Sequence, residues 1–498
     1  MNRSTLSLFG VTAALAAVTG VAVLTGAGAP PAAPAAKAAS LPVERSALTC
    51  PAPSDSDFAT TTYTSFTPIG KTTTSSTGAG SAKLVPVAGA SGKAKSKAVA
   101  PLSTPGKPAT GSADTATAPA LLGTADGKLA PGWTVQQTTV IDTGPDRGVL
   151  GTACTQPDSE FWFPGTSTSA DRSDYVHLTN PDDTAAVVDL ELYGTNGALT
   201  TTTGNGITVP PKSTVPVLLS TLTATKAADL TLHVTARTGR VGASVLASTA
   251  KAGGDWLPAA ADPAGSVVLP GIPADATDVR LVAYATGQDD ADLKVRLLSA
   301  SGAITPAGHE TLHVKSGMTA SADLADLTKG ETGSLVLTPS DPKAAAPVVA
   351  ALRITRGKGA NQETAYIPAT SAITDRATAA DNRAKGSTLS LTAPTAGATV
   401  KITSSAGTGG GTPVTKTVTL KAGTTTALTP ATPTGAKGQA KGQYAVTVEH
   451  VSGGPVYGSR MLALPLNGIP MFTIQPLPDD RGLVAVPDAE ENLSILNN

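Results

Sequence analysis

The string His309-Glu310-Thr311-Leu312-His313 is a literal His-Glu-x-x-His. On a helix, histidines at i and i+4 share a face, hold zinc together and leave the Glu as the general base of a hydrolytic site. Here Gly308 precedes the string and Val314-Lys315-Ser316-Gly317 follows it. Its counterparts in the neighbouring repeats, Ile207-Thr208-Val209 and Val418-Thr419-Leu420, read as strands. On a strand His309, Thr311 and His313 point one way, and Glu310, Leu312 and Val314 the other. The Glu then cannot stand between two metal-bound imidazoles. A metal-assisted hydrolase built on His309, Glu310 and His313 is therefore the alternative reading, not the favoured one.

Other reactive residues are dispersed. His177, His233 and His450 lie in separate repeats, and the apolar neighbours of His177 and His233 suit an outward position. Gly123 to Leu129 is one residue short of a phosphate loop and lacks the Ser or Thr after Lys128. The acidic pairs Asp182-Asp183 and Asp289-Asp290 suit hairpin turns, with a calcium-binding edge as the alternative. Cys50 and Cys154 are the only cysteines. An even pair in an exported chain reads as one disulfide, the alternative being two free thiols. Such a bridge closes a loop of about 100 residues, worth about 4–5 kcal/mol in the chain-entropy model. No catalytic, metal-binding or cofactor-binding residue is expected, and no cofactor.

The elements that carry these residues repeat. Val187 to Tyr193 alternates, with Val188, Leu190 and Leu192 on one face and Asp189 and Glu191 on the other. Leu293 to Leu297 and Val400 to Thr403 repeat the pattern, which marks strands with one buried face. Gly-containing turns follow each, and Lys212, Lys315 and Lys421 open a second set of turns. The period of about 105 residues suits tandem immunoglobulin-like β-sandwiches in an all-β chain. Trp162-Phe163-Pro164-Gly165, Trp256-Leu257-Pro258-Ala259 and Tyr366-Ile367-Pro368-Ala369 share an order of aromatic, apolar, Pro, small residue. Trp162, Trp256 and Tyr366 are thus expected to anchor the sandwiches or their junctions. Stacking on a glycan is the alternative, which would make the chain a carbohydrate-binding module. The expected division is a leader and spacer over 1–40, an N-terminal β region over 41–165, and sandwiches over 166–255, 256–365 and 366–498. Residues 71–128, rich in Gly, Ser, Thr, Ala and Pro, read as a low-complexity solvated insertion with Lys93, Lys95 and Lys97 as its charge cluster.

Composition narrows the partners. Lys plus Arg number 36 against 37 Asp plus Glu, and aromatics are only 3%. A nucleic-acid binder needs a basic excess and stacking rings, so nucleic acid is excluded as a partner. Arg3 precedes an uncharged run from Leu6 to Leu24, followed by Ala27-Gly28-Ala29 and Ala36-Lys37-Ala38 as cleavage options. This is the pattern of a secretory signal, or of an uncleaved membrane anchor through residues 6–24. Either reading places the body outside the cytoplasm, with an envelope or extracellular protein or glycan as partner.

Cys50-Pro51, Cys154, Glu160 to Gly165, Leu178 to Thr184, Asp255 to Ala259 and Ala346 to Ala350 follow one another in an order that resembles an uncharacterised family of actinobacterial secreted proteins, a domain of unknown function. The resemblance spans residues 41–465 and implies export and β architecture without transferring catalytic residues. Met471 to Ile474 stands where the last repeat departs from the Trp-Leu-Pro element. The favoured expectation is a non-catalytic exported envelope or extracellular protein with a structural or binding role.

Overall fold

A computed structural model describes residues 39–70, 80–87, 97–144, 146–435 and 442–486. The leader run 6–24, both cleavage options, Lys93 and Lys95 lie outside these residues. The chain forms two compact units. In one, the described residues are 39–41 and 484–486, from the paired strands Ala39–Pro42 and Leu483–Val486. The other, Pro42–Leu483, holds everything that follows. Among the described residues there is no α-helix, and no helix long and apolar enough to cross a membrane.

Among the described residues the named strands of the larger unit pair antiparallel, and one isolated bridge, Ala285 with Ser316, is parallel. Its strands form four pairs of sheets, and each pair encloses one hydrophobic core. Sandwich I runs from Arg45–Cys50 to Gly148–Ala153, sandwich II from Glu160–Thr166 to Gly253–Leu257, sandwich III from Val267–Ile272 to Glu363–Pro368, and sandwich IV from Arg376–Asn382 to Phe472–Pro476. Numbered within each sandwich, one sheet has the order first, sixth, third, fourth, and the other the order fifth, second, seventh, eighth. All four share this order; in II and III two short strands fill the fourth position.

The third strands show why the pattern repeats. They begin at Ala82, Ala186, Ala291 and Ala398, each buried. Two residues later Leu84, Val188, Leu293 and Val400 point into the core, as the period of two requires. Lone-strand propensity would not hold such short segments; the shared core of two facing sheets does.

Sandwich I corrects the reading of 71–128 as a solvated insertion. Ala82–Pro86, Val99–Leu102, Ala109–Ala113 and Leu121–Asp126 are strands within that stretch. Their inward residues include Ala82, Ala100 and Ala125, and small side chains leave little hydropathy contrast with the surrounding Gly, Ser and Thr. The aromatic-Pro string also divides between two elements. Trp162 to Gly165 lies on a first strand, where a bulge separates Pro164 from Thr166. Its counterpart is Leu269-Pro270-Gly271 on the first strand of III, with the same bulge. Trp256-Leu257 and Tyr366-Ile367-Pro368 instead end eighth strands, and Phe472–Pro476 holds that place in IV.

The sandwiches close into a ring. The eighth strands of I and II are neighbours, as are those of II and III, of III and IV, and of IV and I. Each seam is specific. Trp256 of II packs on Ala59, Ile141 and Leu150 of I. Trp162 of II packs on Tyr284 and Val349 of III. Phe472 and Ile474 of IV enter the core of III. The circle closes where the Asp381 amide donates to Gln136 Oε1 at 2.8 Å, and Thr138 Oγ1 to Asp381 Oδ2 at 2.8 Å. An eighth strand is the edge of its own sheet, a place that proteins normally protect. Here the ring covers all four edges.

Candidate functional site

The ring axis gathers charge that the sandwich cores lack. Asp255, on the eighth strand of II, is fully buried; its Oδ1 accepts from Gly151 N at 2.9 Å and Trp256 N at 2.8 Å. Its Oδ2 has no protein hydrogen-bond partner. Burial pushes this carboxyl well above the usual range, opposed by the two backbone amides, the Thr473 hydroxyl and the charge of Arg460. Glu363 opens the eighth strand of III and is likewise buried, with neither carboxylate oxygen bonded. Burial pushes it up to about 9; the Asp255 charge adds to the rise and Arg147 opposes it.

Donors lie on the other side. Arg460 of IV is fully buried and donates from Nη2 to Gln475 Oε1 at 2.6 Å. Its Nε and Nη1, and Gln475 Nε2, have no protein partner. Burial pulls the guanidinium down to about 10, while Asp381 supports its charge. Near Tyr366, Arg172 and Asp174 form a buried bidentate pair at 2.7 and 2.9 Å. Buried charges are retained when paired and hydrogen-bonded, and an unmet buried group points to an internal water or ion. Asp255, Glu363 and Arg460 are all fully buried, which suits a structural role.

Of the residues singled out by sequence, Trp256 and Tyr366 border this cluster and the others lie apart from it. Cys50 and Cys154 form a disulfide with Cα atoms 4.5 Å apart, tying the first strand of I to the exit of its eighth. Trp162 is 8% exposed, Trp256 0% and Tyr366 1%. Trp162 lies parallel to His233 at 3.7 Å on one side and near Tyr284 at 5.4 Å on another. Its Nε1 donates to Glu160 Oε1 at 3.0 Å. None of the three aromatics offers a free face to a glycan ring. All three sit in seams: Tyr366 joins the core of II from its strand in III.

His233 is bracketed by Glu160 at 3.0 Å and Glu191 at 3.2 Å on the outer side of its sheet. His177, expected outward, is instead packed edge-on to Trp256 at 5.2 Å, the ring that itself packs on sandwich I. Burial lowers its pKa to about 4. His309 lies in a turn and His313 on the short strand Thr311–Val314, so the two imidazoles share no helix face. His313 Nδ1 sits 2.7 Å from Asp292, and Glu310 accepts from Gly308 N. Among the described residues no group of three or more His, Cys, Asp or Glu could hold a metal ion. Of the acidic pairs, Asp182 is held by Arg240 and Asp290 accepts from Ser316 N.

Asp255, Glu363 and Arg460 were not among the residues expected to act. Their signal is a lone charge inside a strand whose other residues are apolar or small. It carries no chemistry by itself until the ring brings the strands together.

Residues 109–431 match the model of a protein family described as a family of unknown function (DUF5719). The match runs from the fifth strand of sandwich I to just past the fifth strand of sandwich IV. No curated protein matches the chain.

Proposed function

Since the chain belongs to the DUF5719 family, whose function is unknown, we propose from its own structure that it is a non-catalytic structural or binding protein working outside the cytoplasm. The observation that carries this reading is the buried Cys50–Cys154 disulfide, which persists in oxidising compartments and is rare in reducing ones. The basic-apolar order of the first 24 residues supports export, by cleavage or by an anchor through residues 6–24. The charges inside the ring are buried, which suits a rigid body that presents its outer sheets and loops to an envelope or extracellular protein or glycan.

Fractionation of the producing cells, with N-terminal sequencing and thiol labelling of the recovered protein, tests this. Protein outside the cytoplasm with unlabelled Cys50 and Cys154 supports the reading. A cytoplasmic pool with both thiols reactive sinks it. A start at Met1 in the membrane fraction identifies the anchored form, and a start past Ala29 or Ala38 the cleaved one.

A further inference from the structure

One sheet of each sandwich ends in its fourth strand, and three of these four edges are blunted. In I the strand Val99–Leu102 has four residues, contains Pro101 and pairs with its neighbour through a register shift. In II the fourth position is divided between Gly197–Ala198 and Ile207–Val209, and in III between Gly302–Ile304 and Thr311–Val314. Shortness, proline and interruption are devices that keep a free edge from pairing with another chain. Sandwich IV has none of them. Val414–Leu420 is a single strand of seven residues without proline. It pairs in unbroken register, from Val414 opposite Ser404 to Leu420 opposite Ala398. Among the described residues its backbone pairs with no other strand or loop. Thr415, Lys416, Thr417 and Thr419 are exposed.

The sequence of this edge complements itself. In an antiparallel pairing of two copies about Thr417, each Thr417 meets its own counterpart, each Thr415 a Thr419, each Lys416 a Val418 and each Val414 a Leu420. No charge then stands directly opposite its like, and Thr–Thr contacts are among the cross-strand pairs that stabilise a sheet. Val418 and Leu420 turn toward the core of IV, so the pairing continues an apolar face from one copy to the next. Lys416 lies along that face through its aliphatic stem. On the outer face Lys401 stands opposite Thr417 within the sheet, and its charge is already matched by Glu449 at 2.6 Å. A slip that sets Lys416 against Lys416 loses these matches, so charge selects the register. We propose that Val414–Leu420 is a docking edge for a second copy of this chain, giving a two-fold dimer in which two four-stranded sheets join edge to edge. One strand from each copy makes a small interface, which places the dimer among weak, reversible associations. This surface is independent of where the protein works, so its failure leaves the export reading standing.

Analytical sedimentation of the full chain from about 1 to about 300 μM reads the association, with a Kd of about 10–100 μM expected. Thr417→Lys sets like charges face to face across the join and should raise Kd about fivefold or more, as should Thr417→Glu. An equimolar mixture of the two variants should restore association, because the join then pairs Lys with Glu. Cysteine trapping gives a second readout. Cys50 and Cys154 are bonded to each other, so Thr417→Cys adds the one free thiol, and oxidation should link two copies through it. Thr415→Cys, which faces Thr419 in the dimer, should link far less. Both positions are exposed, and melting temperatures equal to the wild type at low concentration check that the variants are folded. A wild-type chain that stays monomeric to the top of the range would overturn the proposal, leaving the edge to a strand of another protein. Dimers that Thr417→Lys does not weaken, or that the Lys and Glu mixture does not recover, would place the contact elsewhere and overturn it too. Should the charged variants not fold, equal linking through 415 and 417 would count against this edge.

Discussion

At the scale of single residues, burial decides which groups matter. Glu363 has a native pKa of about 9 against 4.5 for its free value. The sign follows from linkage: the raised group contributes stability that is complete below the unfolded pKa and is lost as pH rises through the folded one. The melting temperature should therefore fall between pH 5 and pH 9. Glu363→Gln, which cannot ionise, should flatten that slope; thermal melts across the range check it, and an unchanged slope would remove Glu363 as its cause. Trp256 presents the simpler case of a ring with no exposed surface, packed against Ala59, Ile141 and Leu150. Trp256→Ala should cost about 3–5 kcal/mol, read as a lower denaturation midpoint. Trp256 as a candidate anchor was legible in the sequence, from its rarity and its place before Pro258; the structure adds the burial of its ring against sandwich I. The role of Glu363 was not, because its burial depends on the close approach of Gly148 and Gly253 from two other sandwiches.

At the scale of strands, legibility tracked hydropathy contrast. The third strands of II, III and IV alternate Val, Leu and Ile with charged or polar residues, and their buried faces follow that alternation. The strands of I hide because they bury Ala and Thr: Thr61, Thr64, Thr138 and Thr139 are all buried, in part against sandwich IV. The eighth strands hide for another reason. They are covered on every side, so they show no period, and close approach selects small residues such as Gly148, Gly151, Gly253 and Gly254. Gly151 makes the point quantitatively. A methyl group there would meet Thr473 Cγ2 at 2.5 Å and Oγ1 at 2.7 Å across the seam between I and IV. Gly151→Ala should cost about 1–3 kcal/mol through overpacking. Thr473→Ala in the same chain should recover part of that loss, so a double-mutant cycle should show coupling of at least about 0.5 kcal/mol. Strictly additive effects would mean that the two strands do not touch.

At the scale of the whole molecule, four sandwiches of one strand order could form an extended string or a closed body, and a period in sequence is the same for both. Closure resides in seams whose partners lie far apart in the chain, such as Gln136 and Thr138 with Asp381, or Gly151 with Thr473. Long-range pairs of this kind leave no local pattern. Their physical consequence is cooperativity. Sandwiches joined only by linkers melt separately, whereas sandwiches that share buried edges lose contacts together. Calorimetry of the intact chain should therefore show one main transition for the four sandwiches. Asp381→Ala tests whether the last seam takes part. It removes the acceptor of Thr138 and leaves the half-buried Arg383, bonded to Asp381 at 2.9 and 3.1 Å, without its partner. The loss should be about 2–3 kcal/mol, below that of a fully buried pair because water reaches Arg383. In a closed ring the whole transition moves down as one. If a separate peak for sandwich IV splits off while the rest stays in place, the seam between IV and I does not couple the molecule.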